Sequence, residues 1–339
     1  MRLPAELVVY PYYKFSGKAN ICSRRCAGVR AKLRATMKFL LRMSLSVCLL
    51  AWLISRTNPD DLLAAFLDLS FFAWAVAFLM YLASQVISSI RWYFLAHALD
   101  FTGPWSVYLR YYFVGLYFNL FLPTSVGGDV LKMHFISRGE PKKLKATYSL
   151  VADRLFGLAT MLLLGAGAVL IGHGILPNYF EHLLCVAGIC VIASFLGLPM
   201  AYKLLSSAWP KIGKRLAVFL VFWEKPKALF AALSLSLVLQ VLGMSAVALL
   251  AKDMGLSPPA AFYFAAFPLV AILTVLPISF NGIGIREGGF IFFLGLKGIS
   301  AEKALTLSLS FFAIQIVASL IGGLAYAFGF HKKLLKDYT

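Results

Sequence analysis

Acidic residues are scarce. Asp and Glu together number 14 in 339 residues, against 32 Lys and Arg, and charged residues of both signs make up only 14% of the chain. Soluble domains carry about 25%, so an ordinary soluble globule is excluded. Motifs of soluble catalysis are missing too. There is no HExxH string and no Cys/His cluster, and the five histidines (His97, His134, His173, His182, His331) are scattered, so no metal site is expected. A Walker A string and a GxSxG elbow are also lacking, which argues against built-in ATP hydrolysis and against a hydrolase nucleophile of that kind. No cofactor is expected. Of the five cysteines, Cys48, Cys185 and Cys190 lie in apolar segments and read as core residues. Cys22 and Cys26, in CSRRC, have no further Cys or His nearby and make a poor zinc set.

Apolar sequence is what the chain has in abundance. Hydrophobic residues make up 61%, the mean hydropathy is +0.83, and apolar runs near 20 residues recur, the mark of a polytopic helical membrane protein. The runs are continuous rather than alternating, which excludes an outer-membrane barrel. The net charge of +18 would suggest nucleic acid in a soluble protein. Here Lys and Arg fall in loops and tails, where they set topology, and no nucleic-acid partner is expected.

Residues 1–37 form a basic tail, with eight Lys and Arg against Glu6 alone and no stretch apolar enough for a signal peptide. Two readings stand: a disordered segment lying on anionic lipid, or an upstream start, with Met37 opening an ordinary first span. The spans read as 38–55, 71–95, 147–172, 181–202, 227–251 and 304–329. The stretch 56–70 reads as an interfacial helix, and 106–136 and 261–296 as broken apolar segments. Lys and Arg crowd the 137–146 and 203–226 loops and the C-tail at 331–339, while 56–70, 173–180 and 252–260 carry two between them. The positive-inside rule then holds at every loop only if both broken segments enter and leave on one side.

The expected fold is therefore an all-α polytopic membrane protein, with six full spans plus two broken re-entrant helical hairpins. Each half (38–172 and 181–329) reads span, span, re-entrant hairpin, span, and the two halves are inverted in the membrane. Both termini would be cytoplasmic, in the inner membrane.

The two breaks carry the polar chemistry: FLPTSVGGDVLK at 121–132 and LPISFNGIGIREGG at 276–289. Irregular backbone survives in hydrocarbon only where protein or a watery cavity surrounds it. Pro123 and Pro277 stop a helix. Gly127, Gly128, Gly282 and Gly284 allow the turns that follow. Short helices are expected to restart at Val130 and near Gly288, offering unpaired N–H groups to an anion. Asp129 is either an N-cap or a site residue paired with Lys132 on the same face. Asp153 and Arg154 lie inside a span, and one of them is expected to face the first hairpin. Arg286 is expected to meet a lipid phosphate through its planar fork, and Glu287 to orient it or stabilise the helix start. Adjacent helical residues point about 100° apart, so these two are not expected to share one contact easily. Arg91 and Arg110 read mainly as positive-inside anchors. Asn119 and Asn281, beside the breaks, are expected to satisfy freed backbone groups.

At FNLFLPTSVGGDVLK, SLVADRLFG and LPISFNGIGIREGG the chain resembles the lysylphosphatidylglycerol synthase transmembrane region, a flippase-like membrane domain, over roughly 38–330. The resemblance implies an inner-membrane protein that moves or handles lipid. It places the family's polar motifs on Pro123, Gly127, Gly128, Asp129, Asp153, Arg154, Pro277, Gly284, Arg286 and Glu287. Lys132 stands where relatives often carry arginine, keeping the charge without the bidentate geometry. The synthases add a soluble aminoacyl-transfer domain after the membrane part. This sequence stops at Thr339, so it is not expected to make aminoacylated lipid alone.

Three functions follow. The first is a lipid translocase, with Asp129, Lys132, Asp153, Arg154, Arg286 and Glu287 lining a groove for the headgroup of an anionic or aminoacylated phospholipid or a lipid-linked sugar. The second is a membrane transferase on a lipid-linked substrate. The third is a non-transporting accessory subunit of a separate lipid-modifying enzyme. The topology is testable first. In a cysteine-free background, a cysteine at Ser137 should label from the cytoplasm and one at Asn178 from outside; reversed labelling overturns the orientation.

Overall fold

In the computed structural model the residues described are 36–37, 39–122, 127–137, 142–275 and 279–327, and all their regular structure is helical. The helices are α1 (Phe39–Ser55), α2 (Pro59–Leu67), α3 (Phe71–Ala98), α4 (Trp105–Phe121), α5 (Gly127–Ile136) and α6 (Lys143–Ile171). They continue as α7 (Asn178–Ala208), α8 (Pro210–Glu224), α9 (Pro226–Asp253), α10 (Ala260–Val275), α11 (Ile285–Gly295) and α12 (Ala301–Ala325). Pro123, Pro277 and both tails lie outside the described residues.

Five helices (α3, α6, α7, α9 and α12) are long and apolar enough to cross a membrane. A sixth crossing exists if α1 and α2, bent 93° from each other, are counted as one span. Each broken segment holds two helices, α4 and α5 in the first, α10 and α11 in the second. At 16 residues, α10 is about 24 Å long and falls short of a 30 Å hydrocarbon core.

Helix starts follow the local chemistry. The Asn58 side chain accepts from the Asp60 N–H, and Ser70 and Ser300 do the same for the Phe72 and Lys303 amides, each satisfying an orphan donor. The Asp253 carboxylate, at the end of α9, accepts from the Ser70 N–H at 2.7 Å and ties that end to the start of α3.

Two expectations need correction. Residues 203–226 read as a basic loop, yet α7 runs on to Ala208 and 210–224 form helix α8. The reason is the apolar run after the basic residues: Phe222 is buried against Phe156, and Trp223 packs at a tilt on Phe195 with ring centroids 4.4 Å apart. Pro210 occupies the first turn, where a missing N–H costs nothing. The short helices also start earlier than expected, at Gly127 and Ile285 rather than Val130 and Gly288. A helix's first N–H groups need no internal partner, so glycines can form its opening turn. Ser137 is buried, whereas Leu144 nearby is exposed, so Leu144 is the better labelling position on that side.

Helices α3 and α9 pack along each other at the centre. Around them the pairings recur with an offset of six. The pairs α3–α4, α4–α5, α5–α6, α3–α6, α4–α12 and α6–α9 reappear as α9–α10, α10–α11, α11–α12, α9–α12, α10–α6 and α12–α3, and α3–α9 maps onto itself. Two apolar cores result, one around α10, α11, α12 and the end of α9, the other around α3, α4 and the start of α6.

At one end, the α3–α4 turn is tied to the helices beside it. Asp100, with φ +67°, receives Lys145 at 2.8 Å and Lys225 at 3.2 Å, and these hold its carboxyl below the usual carboxylate range. Lys225 also donates to the Ala98 carbonyl at 2.6 Å.

The α4–α5 contact is the tightest in the first half. A methyl group on Gly128 would run into the Gly115 carbonyl oxygen. Gly128→Ala should therefore destabilise the folded protein by about 1–3 kcal/mol. Gly167→Ala, with nothing within 4 Å of the added carbon, should not. Thermal unfolding in detergent micelles checks the contrast; equal melting temperatures would refute it.

Candidate functional site

The first site is built at the start of α5. Asn119, in the last turn of α4, accepts from the Gly128 N–H at 2.7 Å, so a backbone group freed by the break is satisfied by a side chain. Asp129 is the third residue of α5, inside its first turn rather than at the cap. Both its oxygens are used by cations: Oδ1 accepts from Lys132 Nζ at 3.0 Å, and Oδ2 from Arg154 Nε and Nη2 at 3.0 and 2.9 Å. Asp129 and Lys132 are buried, while the Arg154 side chain is half exposed. The Lys132 ammonium also sits over the Tyr112 ring, 3.8 Å from its centroid. Carboxylate, lysine and arginine thus arrive from α5 and α6, with an aromatic face from α4.

The second site is built at the start of α11. Asn281 and Gly282 have φ of +50° and +77°, and Gly284, with φ +87°, caps the helix. A side chain on Gly284 would be strained by that φ and would press on Leu49 of α1. The Phe280 N–H donates to Ser46 of α1 at 2.7 Å, so α1 satisfies this break as Asn119 satisfies the other. Asn281, expected to share that role, instead lines a cavity.

Glu287 is the third residue of α11 and is fully buried. Its Oε2 accepts from the Gly284 N–H at 2.6 Å, closing the first turn. Its Oε1 accepts from Arg286 Nε at 3.1 Å and Nη2 at 2.6 Å, and from Ser308 of α12 at 3.4 Å. The adjacent pair does share one contact, contrary to expectation. The arginine side chain is long enough to fold back along the helix start, where it also lies over the Phe312 ring at 4.1 Å. Arg286, Thr274, Asn281 and Gln315 give a polar lining to a cavity of about 170 Å³. At about 30 Å³ per water, it has room for roughly five waters, or for one small headgroup moiety.

The two sites correspond. In each, the carboxylate is the third residue of the second short helix, and the next long helix answers it: Arg154 from α6, Ser308 and Phe312 from α12. No hydrogen bond joins the sites among the described residues. Tyr81 of α3 lies near charged groups of both, Arg154 of the first and Arg286 of the second, and packs edge-on against Phe311 of α12 with ring centroids 5.9 Å apart.

A profile of the lysylphosphatidylglycerol synthase TM region matches residues 39–323. The chain belongs to that family. It is thus a lipid-related, multi-pass membrane domain, and the polar residues above all fall inside the matched span. No curated protein matches the chain.

Within this family domain, Asp153 is not part of either site. It accepts from Arg91 Nε at 2.8 Å, both groups being buried, and Arg91 Nη1 donates to Ser236 of α9 at 2.8 Å. Gln240, one turn further along α9, donates to the Gly157 carbonyl of α6 at 2.9 Å. Arg91 is therefore a buried tie between α3, α6 and α9, not an interfacial anchor. The expected span ended at 95, close to Arg91, whereas α3 runs to Ala98. The row Ser84, Ser88, Ser89 beside it, all buried, is the sequence signal of a polar packed face.

Removing one partner of a buried pair strands the other charge, at a cost of about 3–5 kcal/mol. Arg91→Ala and Asp153→Ala should each lower the melting temperature sharply. The double variant Arg91→Met, Asp153→Leu should recover most of the loss. Equal damage in the single and double variants would show that the pair is not the tie described.

Proposed function

We propose that this protein is a lipid translocase of the inner membrane. The observation that carries the reading is the polar cavity beside Arg286 and the fully buried Glu287, at the start of a short helix inside an otherwise apolar bundle. Ionised groups at such depth are costly and mark a polar pathway. Asp129, Lys132 and Arg154 supply a second station at the corresponding place in the first half.

The packing offset of six supports an inverted repeat, α1–α6 against α7–α12, with α4–α5 and α10–α11 as re-entrant hairpins entering from opposite faces. A headgroup slides between the hairpin tips while its acyl chains stay in the bilayer. Arg286, whose Nε and Nη2 are held by Glu287, engages the phosphate through Nη1. Glu287 holds that guanidinium in place and caps α11. Arg154 and Lys132 take the phosphate at the other station, with Asp129 as the counter-charge they return to. The halves rock about the α3–α9 contact, and the Arg91–Asp153 tie keeps α6 with that centre. Asp129 and Glu287 are the groups through which proton coupling would act; without it, movement is downhill.

Reconstitution in liposomes with headgroup-labelled anionic phospholipid, read by dithionite quenching, tests the reading. Wild type should equilibrate the label across the bilayer without altering the lipid. Arg154→Gln and Arg286→Lys should each slow exchange at least tenfold while remaining folded. Chemically modified lipid would make the protein a transferase. Exchange at the protein-free rate by wild type, or at the wild-type rate by both variants, contradicts the proposal.

A further inference from the structure

A second cavity lies away from both polar sites, between α6, α7 and α8. It measures about 530 Å³ and its walls are apolar, with Leu155 and Phe156 from α6, Cys190 and Phe195 from α7, and Phe219 and Trp223 from α8 among them. No charged residue lines it. We propose that this cleft holds an acyl chain of an anionic phospholipid from the cytoplasmic leaflet. The proposal does not depend on translocation.

Three features single out that occupant. The first is surroundings. Helix α7 packs mainly on α6 and α8, with Phe180 at its start against Phe292 and Phe293 of α11, and its outer face exposes Leu183, Val186, Ile189 and Leu196. Those side chains face hydrocarbon in a membrane helix, so lipid tails reach the cleft mouth first. An apolar cleft of this size does not hold ordered water, which needs polar partners. The second is length. The cleft runs from Ala152 to Leu162 on α6 and from Ala187 to Leu198 on α7. At 1.5 Å per residue that is about 15 Å, half of a hydrocarbon core about 30 Å thick, and so the depth of one leaflet. The third is charge. The sequence of α8, which closes the cleft, opens with Lys211, Lys214 and Arg215. Basic residues on a membrane-bound segment mark the cytoplasmic face and draw anionic headgroups to it. Phe195 and Trp223, with ring centroids 4.4 Å apart and planes tilted by 39°, both line the cleft.

Native mass spectrometry of the purified full-length protein tests this, with equimolar phosphatidylglycerol and phosphatidylcholine added. Wild type should retain one phospholipid, with phosphatidylglycerol at least fivefold over phosphatidylcholine. Ala159→Trp and Ala187→Phe, which fill the cleft, should each cut that retention at least fivefold with an unchanged melting temperature. Ile189→Trp, on the outer face of α7, should leave it unchanged. Retention of both lipids alike would overturn the anionic assignment. So would equal retention in the filled variants, a cleft occupied by detergent alone, or a dimer that the filled variants abolish. If a filled variant unfolds, release of bound lipid by wild type on alkylation of Cys190 carries the same decision: release supports the cleft, and retention counts against it.

Discussion

Two buried carboxylates hold the polar part of this protein together. Asp129 and Glu287 each sit in the first turn of a short helix that follows a break in apolar sequence. An ionised carboxylate in such surroundings persists only when it is paired and hydrogen-bonded. Asp129 finds Lys132 and Arg154; Glu287 finds Arg286, Ser308 and its own helix's opening amide. These demands fix which helix faces which break. They bring α6 to α5 and α12 to α11, and the same two contacts recur in the offset-of-six packing. One electrostatic requirement is thus met twice, at corresponding places in the packing.

The two stations are not copies. At the first, two cations converge on one acid and one of those cations is half exposed. At the second, a single arginine folds onto the acid beside a polar cavity, and α12 offers a hydroxyl and an aromatic ring where α6 offers Arg154. Under the proposed function, the difference would give a headgroup two unlike resting places. A third buried pair, Arg91 with Asp153, is spent on holding α3, α6 and α9 together.

The breaks were legible in the sequence because proline, glycine and charge interrupt otherwise continuous apolar runs, a pattern few other structures tolerate. The link between Arg154 and the first break, at Asp129 of α5, could be expected for the same reason: an ion inside a span must find a partner. Other features could not be read so directly. Arg91 looked interfacial because a span boundary drawn from hydropathy stopped short of the real helix end. Helix α8 was hidden because its basic opening turns resemble a loop and its apolar face shows only against α6 and α7. Glu287 and Arg286 adjoin in sequence, and only the bend of the arginine side chain lets them meet. Tyr81, Tyr112, Ser308 and Phe312 carry no local signal. They matter through what tertiary packing sets beside them.

The central claim is that water reaches the space between the two stations, so that a headgroup can pass there. Hydroxyl-radical footprinting of the protein in lipid nanodiscs reads this at Tyr81. Tyr263, buried in the apolar core around α10, is the dry reference, and Tyr179, exposed at the start of α7, is the wet one. Oxidation of Tyr81 at a rate between those of Tyr263 and Tyr179, well above that of Tyr263, is the expected result. Protection of Tyr81 equal to that of Tyr263 would mean that the carboxylates are sealed in dry packing, and that no polar path exists.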